Sequence, residues 1–262
     1  MRALHTAATG MMAQELNVQV ISNNIANMRT TGYKRQRAEF QDLLYEHVSR
    51  VGTQTSNQGN QLPAGVELGS GVKTVGTPRL MTQGSLVQTG KDYDVAIRGE
   101  GFFKILLPDG RTAYTRDGSF ELDSQGRLVT AQGNLVQPAI TIPQNAQSVA
   151  INAQGQVSAT LPGQTTPTTL GQIELSMFVN KAGLQGIGDN LYLETPASGA
   201  PQNGTPNVDG FGNLQQGNLE QANVEAVSEI SDLIAAQRAY EMNAKVISAA
   251  DQMLQSTSQL MR

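Results

Sequence analysis

The spacing of apolar residues changes twice along the chain. From residue 2 to about residue 28 there is no proline and a single glycine, Gly10, and Leu4, Met11, Val18 and Ile25 recur every seven positions. That spacing predicts a helix with one apolar seam, widened by Ala7, Ala8, Ile21 and Met28, with Gln14, Glu15, Asn17 and Asn24 beside or opposite it. Arg29-Thr30-Thr31-Gly32 supplies turn formers, so the helix is expected to end near Asn27. The far end repeats the pattern over a longer span. Ala226, Leu233, Tyr240, Ile247, Leu254 and Met261 fall on one seven-residue row, flanked by Ala239, Val246, Met253 and Leu260 on one side and Ala236 and Ala250 on the other. No Gly or Pro interrupts residues 218–262, which predicts one long helix with Asn223 or Ser228 as its cap.

Between these helices the pattern turns into short apolar runs separated by Gly and Pro, the grammar of β-strands and hairpins. Phe102-Phe103-Lys104-Ile105-Leu106-Leu107 leads into Pro108-Asp109-Gly110, and Ser119-Phe120-Glu121-Leu122 into Asp123-Ser124-Gln125-Gly126. Glycine in such turns supplies the positive φ that tight hairpins need. A weaker echo of the second turn, Asn152-Ala153-Gln154-Gly155, follows 29 residues later. Residues 49–72 and 196–217 are too polar for a core and read as connectors. The expected fold is α+β: N- and C-terminal helices forming a coiled-coil-like domain, an inserted β-rich domain, and extended connectors. The boundaries expected are a helix over 1–34, a connector with extended or hairpin structure over 35–75, a β-rich domain over 76–195, a return connector over 196–220 and a helix over 221–262.

Composition narrows the chemistry. The 262 residues can bury one large or two modest cores, and there is no cysteine, which excludes disulfides, thiolate catalysis and Cys-ligated zinc. Charged residues are 15% of the chain, against about 25% in an average globular protein, so much of the surface is neutral and polar. A formal charge of -4 gives no pull toward nucleic acid or anionic lipid, and the short basic run Lys34-Arg35-Gln36-Arg37 reads as a solvated face after a helix. No window approaches 18 consecutive apolar residues, and polar Gln14, Glu15, Asn17 and Gln19 break the stretch where a secretory signal would need an apolar core.

Candidate active-site chemistry is sparse. His5 and His47 have no ligand-spaced partner, so no metal or other cofactor is expected. Gly99-Glu100-Gly101 lacks the third glycine of a phosphate loop and precedes a strand, so it reads as a tight turn. Asp92 and Asp94 alternate on an expected strand, but exposed carboxylates on a strand face are common, and no nucleophile elbow accompanies them. What stands out instead is the C-terminal stripe, which runs for more than 30 residues beside a self-contained β region. The N-terminal helix would cover part of it, and copies of the same chain are the economical cover for the rest.

With these elements in place, the chain resembles the bacterial flagellar rod and hook axial proteins. Ile21-Ser22-Asn23-Asn24-Ile25-Ala26-Asn27 with Thr31-Gly32-Tyr33-Lys34 looks like their N-terminal signature. Residues 97–103, 114–120 and 128–130 resemble their β domain, and Gln237-Arg238-Ala239-Tyr240-Glu241-Met242-Asn243-Ala244-Lys245 with Asp251-Gln252-Met253-Leu254 resembles their C-terminal helix. Length leaves no room for the larger outer domain of hook proteins. Phe40-Gln41-Asp42-Leu43-Leu44-Tyr45-Glu46 and residues 138–143 are similar to distal rod members of the family.

The resemblance implies a non-enzymatic subunit of a hollow helical shaft, with the helices as inner assembly domain and the β domain outside. Leu4, Met11, Val18, Ile25, Asn23, Asn24, Asn27, Leu233, Tyr240, Ile247 and Leu254 are then expected at the assembly interface. Val51, Leu62, Val66 and Leu68 are expected in a connector that sets stiffness. Implied partners are further copies of the chain, other rod subunits, hook protein and adaptors, surrounding ring proteins, and the flagellar type III export apparatus, which would carry the chain to the periplasm without a cleaved leader. Another rod or hook-type subunit, or a periplasmic peptidoglycan-binding or peptidoglycan-cleaving protein, are the competing readings.

Overall fold

The computed structural model describes residues 2–49, 64–163 and 166–260, and Val51, Leu62 and Met261 lie outside them. The chain divides into two compact units, one of Met1–Ile25, Gln36–Pro78 and Glu225–Arg262 and the other of Ala26–Arg35 and Arg79–Val224.

In the first unit, helix α1 (Arg2–Ala26) and helix α2 (Ala226–Leu260) pack antiparallel. Asn24 of α1 meets Glu229 of α2, and Gly10 meets Asn243, fourteen residues further along each helix in opposite directions. A Cβ on Gly10 would lie 2.9 Å from Asn243 Nδ2, so the close approach depends on this glycine. On α2 the buried residues are small or polar, Glu229, Ala236 and Ala250, whereas α1 buries Val20 and Ile21 together with Ala7, Thr9, Ala13 and Asn24. With 35 residues against 25, α2 is about 52 Å long and α1 about 37 Å. The register places Ala250 across from the first turn of α1, so the last turns of α2 extend past it.

Residues 36–78 form a β ribbon in the same unit. Strand β1 (Glu39–Asp42) pairs antiparallel with β4 (Val72–Gly76), and β2 (Tyr45–Ser49) with β3 (Val66–Gly69). Leu43 N to Gly71 O (2.9 Å) and Ser70 N to Leu44 O (3.2 Å) carry the pairing across the gap between them. The ribbon runs back along α1, touching it at Asn24 (Gln36), Thr9 (Gly71 and Val72) and Arg2 (Glu46).

The second unit is β throughout. Strands β5 (Leu86–Gln88) and β6 (Val95–Arg98) precede β7 (Phe102–Leu106), β8 (Thr112–Thr115), β9 (Phe120–Leu122), β10 (Leu128–Thr130) and β11 (Leu135–Gln137). Then come β12 (Ser148–Ile151), β13 (Gln156–Thr160), β14 (Thr168–Gln172), β15 (Leu175–Met177), β16 (Gln185–Gly188) and β17 (Leu191–Leu193). The last are β18 (Gln202–Gly204), β19 (Asn213–Gln216) and β20 (Asn218–Glu220). The main sheet runs β16-β17-β8-β7-β11-β10-β9, with β15 joined to β7 and β18 to β15, and β12-β13-β14 form a second sheet. Val95, Ile97, Phe103, Ile105, Phe120, Leu128, Val157 and Ile173 sit in one core that both sheets share.

Two stretches differ from the sequence reading. Residues 196–220, read as a return connector, contribute three strands: β18 pairs with β15, β19 with β6, and β20 with β5. Strands of three or four residues are too short to show alternation. Residues 26–34, assigned to the N-terminal helix segment, group with the β unit together with Arg35. The echo between the two turns is real in three dimensions. Asp123 and Asn152 each accept from the amides two and four residues on, and Gly126 O and Gly155 O each accept an isoleucine amide, Ile142 and Ile173, at 2.7 Å.

Candidate assembly surface

At 3.6 residues per turn, about 100° per residue, Leu233 and Ile247 lie on the same side of α2 as Glu229, Ala236 and Ala250 and are half-buried there. Tyr240 and Leu254, on that row, remain exposed. Both flanks carry apolar side chains that α1 leaves uncovered. Val246, Met253 (63% exposed) and Met242 lie on one, and Val227 (77% exposed), Ile230 and Ile234 on the other. On α1 the row Leu4, Met11, Val18 and Ile25 is half-buried, and Asn23 is exposed.

Asn24 plays a different part from the interface role expected of it. It is buried inside the unit, where its Nδ2 donates to Gln36 O (2.8 Å) and to Glu229 Oε2 (3.1 Å) while its Oδ1 accepts from Gln36 N (2.9 Å). One carboxamide thus ties α1, the start of the ribbon and the first turn of α2 together. Glu229 also places a carboxylate near the N-terminus of α2, where the helix dipole favours it. Asn27 is half-buried in the second unit, and its Oδ1 accepts from Thr30 Oγ1 in the turn after α1. Of the two expected caps of α2, Ser228 lies within the helix. Asn223 spends its carboxamide in the second unit, accepting from Arg35 N and donating to Leu80 O and Thr82 O.

Among charged residues such as Glu46, Glu67 and Lys73, the ribbon exposes several apolar side chains. Leu44 is 87% exposed, and Tyr45, Val48, Val66, Leu68 and Val75 are also open. Val66 and Leu68, expected in the stiffness connector, are therefore in a paired strand with their side chains turned to solvent.

The second unit holds a buried charge cluster that the sequence reading missed. Lys34, read as part of a solvated basic face, has a side chain fully removed from solvent, whereas Arg37 is exposed as expected. Lys34 Nζ donates to Glu220 Oε1 at 2.6 Å and to Thr82 O at 2.8 Å. Glu220 also accepts from Gly84 N (2.9 Å) and from the Arg116 guanidinium (3.4 Å). Arg116 donates to Gly99 O, and its Cζ lies over the Phe102 ring, 5.4 Å from the ring centre. Its buried Nε finds no acceptor among the described residues. Burial pushes the Lys34 ammonium below the ordinary lysine range, against the opposing pull of Glu220, and burial lowers Arg116 in the same way. The family signature includes Lys34, but nothing in its local charge pattern marks it as buried. Its partner Glu220 is 186 positions away.

The sites considered for catalysis do not converge. Asp92 is in an exposed turn, whereas Asp94 is buried just before β6 and accepts from Thr89 Oγ1. His47 pairs with Glu67 across β2 and β3 at 3.1 Å, half exposed. Gly99 and Gly101 adopt positive φ in the turn from β6 to β7. Among the described residues no group of three His, Asp or Glu side chains could hold a metal, and no helix is long and apolar enough to cross a membrane.

Comparisons with known proteins agree on one family along the chain. Residues 4–34 match the family described as flagella basal body rod protein, residues 96–159 the flagellar hook protein FlgE/F/G D1 domain, and residues 215–260 the flagellar basal body rod FlgEFG protein C-terminal region. The chain is 58% identical over 260 residues to the flagellar basal-body rod protein FlgG of Caulobacter vibrioides, covering 99% of both. It is 48% identical to that of Borreliella burgdorferi, over 100% of this chain and 99% of the other. Against that of Bacillus subtilis the identity is 37%, over the whole of both chains.

Proposed function

The chain belongs to the FlgG-type flagellar basal-body rod proteins and is a structural subunit of the distal rod, not an enzyme, and from that premise we propose that its terminal helices drive polymerisation into a hollow, rigid shaft carrying motor torque to the hook. The observation that carries this reading is the apolar surface on both flanks of α2, along with turns of α2 that reach past α1. A monomer gains nothing from exposing these side chains, and a helix flanked by copies of itself buries them.

The helices then form a coiled-coil-like inner wall and the β unit the outer one. The subunit is exported unfolded by the type III apparatus and meets other rod subunits, hook adaptors and the surrounding ring proteins along the periplasmic shaft. The exposed apolar side chains of the ribbon, Val66 and Leu68 among them, pack on neighbouring subunits and limit their sliding.

Sedimentation of the purified chain tests the reading. Val246→Asp and Met253→Asp place a carboxylate where a monomer tolerates it and a packed interface does not, at a cost of several kcal/mol. Wild type should form large species with time and both variants should remain monomeric. Polymers from Met253→Asp at the wild-type rate would refute it.

A further inference from the structure

Residues 31–35 are held in the β unit as a peptide is held in a binding groove. Gly32 N donates to Glu220 O (2.7 Å), and Leu80 N donates to Arg35 O (2.9 Å). Asn190 Nδ2 donates to Thr31 O (2.8 Å), and Asn223 Oδ1 accepts from Arg35 N (2.8 Å). Gly32 takes φ +68, and a Cβ there would stand 2.7 Å from Asp117 N, so this position admits only glycine. Two residues later Lys34 fills a closed socket floored by Glu220 and Thr82 O, with Arg116 on the far side of the carboxylate.

Backbone pairing, a glycine that lets the chain approach, and one charged side chain in a fitted pocket are the parts of a sequence-specific peptide site. We propose that the β unit contains a lysine-reading socket whose ligand is the chain's own Thr31–Arg35 segment, and that Lys34 is the positioning residue that anchors the polypeptide after α1 on the β unit. The ligand class is a primary alkylammonium presented next to a glycine-bearing extended segment. A smaller cluster around Phe102 and Tyr192 borders Arg116, but the larger one, which includes Leu128, Val136 and Val157, is built without Lys34, so filling the socket and forming that core are separable.

The assignment separates three features of the segment. Gly32 sets the path of the chain, Lys34 supplies the specific contact, and the β strands supply the frame. A subunit with an empty socket keeps its β core but leaves residues 27–35 as slack chain between α1 and the β unit.

Amide exchange on the full-length monomer tests this without depending on polymerisation. In Lys34→Ala, amides of residues 31–35 should exchange on the order of a hundredfold faster, the scale of a broken buried ion pair, while residues 128–137 keep wild-type protection. Millimolar n-butylamine should restore protection in Lys34→Ala and leave wild type unchanged. Lys34→Met, which keeps the alkyl volume and loses the ammonium, should loosen the same amides. Wild-type exchange in Lys34→Met, faster exchange spread evenly over residues 102–137, or no response of Lys34→Ala to butylamine would each overturn the proposal.

Discussion

Glu220 illustrates why a buried charge is best judged by what its removal leaves behind. Its carboxylate faces two cations and the amide of Gly84 within the β unit. Glu220→Gln strands both Lys34 and Arg116 in a dry site, which is expected to destabilise the β unit by about 3–5 kcal/mol in a chemical melt, far more than a surface change would. Reversing the pair with Lys34→Glu and Glu220→Lys should not rescue it, because the relocated ammonium would then face the Arg116 guanidinium. A double variant as stable as wild type would mean that the cluster is not a triad.

Asp117 offers a pH test of opposite sign. Burial raises its carboxyl above the ordinary range, Asp94 adds to the rise, and hydrogen bonds from Ser119 oppose it. A raised native value means extra stability below the unfolded value, lost as pH climbs through the native one. The thermal midpoint of Asp117→Asn relative to wild type should therefore increase as pH rises from about 3 through that window and then level off. A difference that stays constant with pH would contradict the assignment.

For the helices, the sequence showed their existence better than their contacts. Seven-residue rows over long stretches free of Gly and Pro leave little else for the chain to form. The face α2 turns to α1, however, is the row Glu229, Ala236, Asn243 and Ala250, small or polar residues that a search for apolar seams ranks low. Of the large apolar residues legible beside it, Leu233 and Ile247 are half-buried, and Tyr240, Val246, Met253 and Leu254 are left open. Ala236→Leu should overpack the helix pair, costing about 1–3 kcal/mol of helical stability in the monomer, whereas Met253→Asp should leave the monomer unchanged. Equal monomer melts for the two variants would sink this division between inner contact and outer surface.

The ribbon reads differently from its polar composition. Strands β1 and β2 pair with β4 and β3, and pairing comes from the backbone, which composition does not reveal. Removing residues 52–65 keeps β2 and β3, so polymers of that variant isolate the contribution of the intervening stretch. We expect curved tubes, and straight ones of unchanged stiffness would remove this stretch from the account.

Taken whole, the two units set where the chain can be cut. Removing residues 1–34 with 226–262 would take Lys34 away and leave Glu220 buried without it. Removing residues 1–25 with 226–262 keeps the segment and should yield a folded, monomeric β unit. Both truncations should keep the β core, but amides next to Glu220 and Gly84 should be protected only in the second, and equal protection there would show that residues 26–35 are not integral to that unit.

The central claim is that the terminal helices, with apolar flanks that one chain cannot cover, build the polymer. An electron-microscopic reconstruction of filaments grown from the purified chain tests it most directly. It should show a hollow tube whose inner wall is α1 and α2 from many subunits, with Val246 and Met253 buried between neighbours and the β units outside. A filament held together by β units, with α2 facing solvent along both flanks, would contradict it.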